Sequence, residues 1–295
     1  MSKLYHQISV NKWKSYFLIF FFMVLVSVLG LVFGFVWGDP YVGLGLALII
    51  AVVWTLIAYF TGSKQILALS NAKEITREDD LELTNIVEGL SIAAGMPKPK
   101  VYLINDPSIN AFATGRNPET SAIAVTTGAR RLLNKRELEG VISHEMSHIK
   151  NYDIRLMTLA VVLVGIVALL SHFFLRSLWF SGNRRNKDSG NLGLILMLIG
   201  VVLAILSPFI AQLIKLSISR KREYLADASG ALLTRNPKGL INALKKIQNQ
   251  NKPVKYATPA TALLYISNPL KKGWFNNLFS THPPLAERIK KLESY

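Results

Sequence analysis

The sequence predicts a mainly α integral membrane protein, with about four transmembrane helices in two hairpins carrying a cytoplasmic α+β domain with a small β-sheet. Three observations lead there. Four long segments are apolar and free of charge: 15–38, 40–63, 156–175 and 189–214, each long enough to span a bilayer core that needs about 20 apolar residues. Hydrophobic residues make up 51% of the 295-residue chain, more than a soluble domain carries. The two remaining blocks, 64–155 and 215–295, mix helical and strand-like patterns with turns.

The first apolar segment is too long for a signal peptide and lacks a small-residue cleavage site after it, so it reads as an uncleaved span. Orientation follows from basic residues. Lys3, Lys12 and Lys14 precede the first span, only Asp39 and Pro40 separate it from the second, and Lys64, Lys73 and Arg77 follow. The N-terminus is therefore expected in the cytoplasm, with a tight outer hairpin. Lys150, Arg155 and the run Lys215, Arg220, Lys221, Arg222 agree, whereas Arg184, Arg185 and Lys187 between the third and fourth segments oppose it. The chain divides into a cytoplasmic tail (1–14), hairpin 1 (15–63), a first polar block (64–155), hairpin 2 (156–214) and a second polar block (215–295).

In the first polar block, Thr76 with Asp79 opens a helix carrying Leu83, Val87, Leu90 and Ala94, stopped by "AGMPKP". "KVYLIN" and "SAIAVT" read as strands, and "NAFATG" before the second reads as a sheet edge. Gly128 precedes a short helix. Asn134, three residues before Glu137, is a capping-box start for a helix through "KRELEGVISHEMSHIK". Leu138, Val141, Ile142 and Ile149 form its apolar face, and Asn151 and Asp153 after it can cap its end or orient a ligand, capping being the first reading. The second polar block holds three helices: "SRKREYLADASGALLT", "NPKGLINALKKIQNQ" with Pro237 at its first position, and "PPLAERIKKLES".

A net charge of +16 and a pI near 10 suit an anionic membrane surface or nucleic acid. The basic residues are scattered and no nucleic-acid motif occurs, so the partner expected is the lipid bilayer, with no nucleic acid. The basic C-terminal block, Lys245, Lys246, Lys271, Lys272, Lys290 and Lys291, would hold its domain against anionic lipid. The chain has no cysteine, which excludes disulfides and thiolate metal sites, so a bound transition metal must rest on histidine and carboxylate.

Residues 140–153, "GVISHEMSHIKNYD", supply that chemistry. His144 and His148 stand four apart and share a helix face, and Glu145 beside the first is placed to touch a water on a shared ion. This is the H-E-x-x-H arrangement of zinc hydrolases. A catalytic zinc takes three protein ligands and a water. His6 reads as a tail residue, His172 as a packing residue in an apolar segment. Glu223 is the better third ligand, and Asp227, one turn on, can accept the other N–H of a ligating histidine.

Together "HEMSHIKNYD", "SRKREYLAD", "NAFATG" and "THPPLAERI", with the two apolar hairpins in this order, resemble the HtpX family of bacterial membrane metalloproteases, relatives of the CAAX prenyl protease and of OMA-type proteases. The resemblance implies a zincin-like (gluzincin) catalytic domain, one Zn2+ held by His144, His148 and Glu223, and Glu145 as catalytic base. It also implies a plasma-membrane enzyme with its site in the cytoplasm, degrading misfolded or damaged membrane proteins or unfolded polypeptides. Donors for a developing oxyanion are sought in His282, Arg288 and Tyr224. Asn110, Ala111, Phe112 and Ala113 are the candidate edge against which an extended substrate pairs. A CAAX-type processing protease shares this chemistry. A zinc transporter or a non-catalytic zinc-binding scaffold is the reading from another class. A transporter should carry ligands within its spans, where only His172 stands. Charges around the motif argue against intramembrane proteolysis.

Overall fold

A computed structural model describes residues 2–163, 219–250, 252–258, 260–270 and 283–294, with a few isolated positions between 165 and 200. The expected second hairpin, apart from 156–163 and those positions, lies outside the described residues, as do His172 and His282.

Helix α1 (Ser2–Trp37) and helix α2 (Pro40–Leu69) form an antiparallel hairpin turned at Gly38 and Asp39. Asp39 caps α2, its carboxylate accepting from the backbone N–H of Tyr41 and Val42. Small residues let the helices close: a Cβ at Gly30 would stand 2.2 Å from the Ala47 Cβ, and one at Gly43 only 2.3 Å from the Gly30 carbonyl oxygen, the small-residue contact typical of membrane helices. Both helices are long and apolar enough to cross a membrane. Their outward surface carries Trp13, Phe17, Phe20, Ile49 and Phe60, all well exposed. The core helix of a soluble protein would bury such residues; their exposure suits a surface turned to lipid. The expected N-terminal tail is part of α1, because residues 2–14 contain neither Gly nor Pro to stop the helix. At about 1.5 Å per residue the 36-residue α1 runs roughly 54 Å, well beyond a hydrocarbon core of about 30 Å. At the polar end of the hairpin, Arg116 stacks on Tyr59 and Phe60, Arg155 on Tyr59 and Tyr152, and Lys12 on Tyr152, the aromatic–basic mixture of a membrane interface.

Beyond the hairpin lies a four-stranded mixed sheet of order β1-β2-β4-β3, formed by β1 (Ala72–Glu74), β2 (Lys100–Ile104), β3 (Ala111–Thr114) and β4 (Ala122–Thr126). The central strand β4 runs parallel to β2 and antiparallel to β3. Alternation along β4 divides the interior: Ala122 and Ala124 face the core shared with α1, α2 and residues 157–163, while Ile123 and Val125 face the core of the polar domain. The sheet thus joins the membrane hairpin to the helices of the site.

Helix α3 (Leu81–Ala94) is capped by Asp80 rather than opened at Thr76. Asp79 instead closes a turn, accepting from the Thr76 N–H and hydroxyl. After the short α4 (Thr127–Leu132) comes α5 (Lys135–Lys150), which has both halves of the expected capping box. Helix α5 is buried nearly all round, enclosed by the sheet and by α6 (Arg220–Thr234) and α7 (Pro237–Gln250). A Cβ at Gly140 would lie 2.6 Å from the Leu240 N, so this glycine sets how closely α7 approaches. The last described helix, α8 (Leu285–Leu292), packs on α6 and α7.

Candidate active site

Helices α5 and α6 cross at the motif. His144 and His148 lie one turn apart on α5, and Glu223, in the first turn of α6, reaches both. His144 Nε2 is 3.2 Å from His148 Nε2 and 3.9 Å from Glu223 Oε2, and His148 Nε2 is 3.5 Å from Glu223 Oε1. All three side chains are buried. Of the histidines and carboxylates proposed from sequence, these three form the cluster whose ligand atoms lie within 4.8 Å of one another.

Each imidazole is held from behind. His144 Nδ1 stands 2.9 Å from Asp227 Oδ1, and His148 Nδ1 stands 3.0 Å from Asp153 Oδ2. Ionised carboxylates only accept, so both Nδ1 atoms carry a proton and both Nε2 atoms face each other and Glu223. Two bare nitrogens 3.2 Å apart would repel, so a proton or a metal ion belongs between them. Two nitrogens held at 2.0–2.1 Å by a tetrahedral ion stand about 3.3 Å apart, so the spacing fits a metal. Glu145, Asp153, Glu223 and Asp227 bring four carboxyl groups together, with the Arg222 and Arg288 guanidiniums in contact and the Lys14 ammonium near Asp153.

Arg288, with no exposed surface, locks Asp227. Its Nε and Nη2 donate to the two carboxylate oxygens at 2.9 and 2.7 Å, a bidentate pair, and Nη1 donates to the Ile266 carbonyl at 2.7 Å. Burial works against the Asp227 carboxylate, but Arg288 and His144 hold it down at about 2. Burial, with Arg288 nearby, lowers His144 to about 4. Burial opposes charge on His148 as well, yet the Asp153 hydrogen bond and the Glu223 charge lift it to about 9. Glu145 is 1% exposed and its Oε1 has no hydrogen-bond partner among the described residues. Burial pushes this carboxyl up to about 8, against the pull of His148 and Arg288 and of the Ala113 backbone N–H beside it.

The other sequence candidates fall differently. Tyr224 points to the surface, its hydroxyl donating to Glu287 at 3.0 Å and its ring under the Lys291 ammonium. Strand β3 is an edge of the sheet, with Ala111, Phe112 and Ala113 buried; Ile266 N–H donates to the Ala111 carbonyl beside a bridge between Phe112 and Tyr265. Asn110 is buried, its side chain bonding the Ser267 carbonyl. Asp153, read as a cap, instead orients His148, while Asn151 caps α5. Its spacing five residues after His148 is the signal that was available. Asn11 and Arg222, which both bond Asp153 Oδ1, gave none.

A membrane metalloprotease is the class that this donor set and the apolar hairpin define. Residues 77–295 match Peptidase family M48, and the chain belongs to that family and, within it, to the HtpX proteases. It is 47% identical over 290 residues to a "Protease HtpX homolog" of Dictyoglomus turgidum, covering 98% of this chain and 93% of the relative. Homologues of the same description from Streptococcus gordonii and Ligilactobacillus salivarius are 42% and 43% identical, each covering 98% of this chain and 99% of the relative. Among solved structures, the crystal structure of S. mikatae Ste24p matches 99% of this chain and 67% of its own, with a TM-score of 0.51 and 19% identity; it shows a shared fold.

Proposed function

We propose that this protein is a zinc metalloendopeptidase of the bacterial plasma membrane that cleaves misfolded or damaged membrane proteins at the cytoplasmic face. The observation that carries the reading is the pair of Nε2 atoms 3.2 Å apart with Glu223 against both, each ring committed to a carboxylate on its far side. His144, His148 and Glu223 would hold one Zn2+. When bound, zinc supplies the Lewis acidity that makes water a nucleophile near neutral pH and polarises a peptide carbonyl.

Glu145 takes the proton of the attacking water and delivers it to the leaving amine. Burial, which makes the carboxyl more basic than an exposed glutamate, suits both halves of that role. Asp227 and Asp153 fix the histidine tautomers, and Arg288 fixes Asp227. With its donors engaged by Asp227 and Ile266, Arg288 serves as a positioning residue. Tyr224 would have to leave Glu287 to reach an oxyanion, and His282 is the other donor proposed. The expected substrate edge is already taken at Ala111 and Phe112 by Tyr265 and Ile266, so a substrate in extended form would pair with β3 only if that segment moved aside, reading backbone more than side chains.

Glu145→Gln is the test. It should retain metal and lose at least a hundredfold in cleavage of an unfolded polypeptide, since general acid–base groups contribute about 10²–10⁴-fold. Unchanged cleavage would remove Glu145 from the role, and loss of metal would make the variant's inactivity a loss of the ion.

A further inference from the structure

Helix α1 reaches the metal site. Its inward stripe is Asn11, Ser15, Phe22, Leu25 and Leu29, all buried, at spacings of four, seven, three and four residues that keep one face. Phe22, Leu25 and Leu29 pack in the membrane-side core. Asn11 breaks this apolar pattern at the polar end and is 3% exposed. A buried amide is costly unless its donors are used. Asn11 Nδ2 uses both: it donates to the Asn151 carbonyl at 2.9 Å and to Asp153 Oδ1 at 2.6 Å. Both partners are acceptors, so the amino end of the amide must face them. Asp153 Oδ2 in turn accepts from His148 Nδ1 at 3.0 Å. Among the described residues the other hydrogen bond to Asp153 Oδ1 comes from Arg222 Nη1 at 3.1 Å, with the Lys14 ammonium close by.

We infer that Asn11, a residue of the first membrane helix, is a positioning residue for the metal site. It clamps Asp153, and through it His148, so that metal affinity depends on the docking of α1. The inference rests on the reading of His148 as a metal ligand. Two hydrogen bonds hold Asp153 Oδ1; without Asn11 that oxygen keeps only the Arg222 bond, with the Lys14 charge nearby, and the carboxylate can swing, taking the imidazole with it. The partner directly behind a ligating histidine, here Asp153, typically changes metal affinity by about 10–100-fold when removed, and Asn11, one step further out, should act toward the lower end of that range.

The full-length chain in phospholipid nanodiscs, loaded with zinc or with Co2+, provides the test. Release of zinc to a chromophoric chelator gives the first readout and the visible spectrum of the Co2+ form the second. Asn11→Ala should release zinc about tenfold faster or more and shift the cobalt spectrum. Ser15→Ala, one turn along the same buried face, should match the wild type in both. On an Asp153→Asn background, Asn11→Ala should add less than about twofold, because its effect runs through Asp153. Asn11→Asp keeps the size and replaces the donor, and it repeats the comparison if the alanine variant does not fold. Wild-type release and spectrum in a folded Asn11 variant would overturn the inference, as would a Ser15→Ala effect of equal size. His148→Ala is the reference arm: loss of zinc there with no Asn11 effect rejects the positioning role alone, whereas retained zinc rejects the ligand assignment and this inference with it.

Discussion

Among the described residues Arg288 is the largest fully buried side chain, and its position explains how the site holds its shape before an ion binds. A buried guanidinium is tolerated because every arm has an acceptor: Asp227 takes two and the Ile266 carbonyl a third. Removing it leaves the Asp227 carboxylate buried without its main counter-charge. Arg288→Ala should therefore cost about 3–5 kcal/mol, read by denaturant unfolding in detergent, and should loosen His144. A loss under about 1 kcal/mol would mean that Asp227 finds another partner. At this scale the cluster of His144, His148 and Glu223 was legible in the sequence, because H-E-x-x-H spacing on a helix dictates a shared face for the two histidines. The residues behind them were only partly so. Asp227 declared itself by standing one turn from Glu223, but Arg288 and Asn11 come from elements 61 residues after Asp227 and 142 before Asp153, distances that spacing rules do not reach.

Among the elements, α5 decides where everything else sits. Its sequence reads as an amphipathic surface helix, with apolar Leu138, Val141, Ile142 and Ile149 against charged ends. In the fold its polar face is buried as well, because the histidines and glutamate of that face meet Glu223 and Arg288 instead of water. Periodicity reports where apolar residues are; it cannot tell a wet polar face from one sealed by a second helix. The close approach of α7 at Gly140 has the same standing. Gly140→Val should overpack this contact and cost about 1–3 kcal/mol, measured as a lower thermal midpoint. Full stability would show that α7 can slide away without loss. The strand pattern "KVYLIN" and "SAIAVT" was legible as β2 and β4, whereas β1, three residues long with an exposed face, carries too little pattern to announce itself.

At the scale of the whole molecule, the chain folds so that two polar blocks, separated in sequence by an apolar stretch, make one centre against a membrane hairpin. The apolar outward faces of α1 and α2 were legible from composition, and the pairing of the HEMSH block with the REYLAD block from the need for a third ligand and from the family resemblance. The projection of α1 beyond the hydrocarbon core was not, because a charged tail and a continuing helix look alike in sequence. The central claim is that His144, His148 and Glu223, brought from both blocks, bind one hydrolytic ion. Metal content together with X-ray absorption at the zinc edge, on purified wild type and Glu223→Ala, measures this directly. The account predicts one zinc per chain in the wild type, bound by two imidazoles and oxygen ligands, and its loss in the variant; a Glu223→Ala protein with the wild-type stoichiometry and spectrum would contradict it.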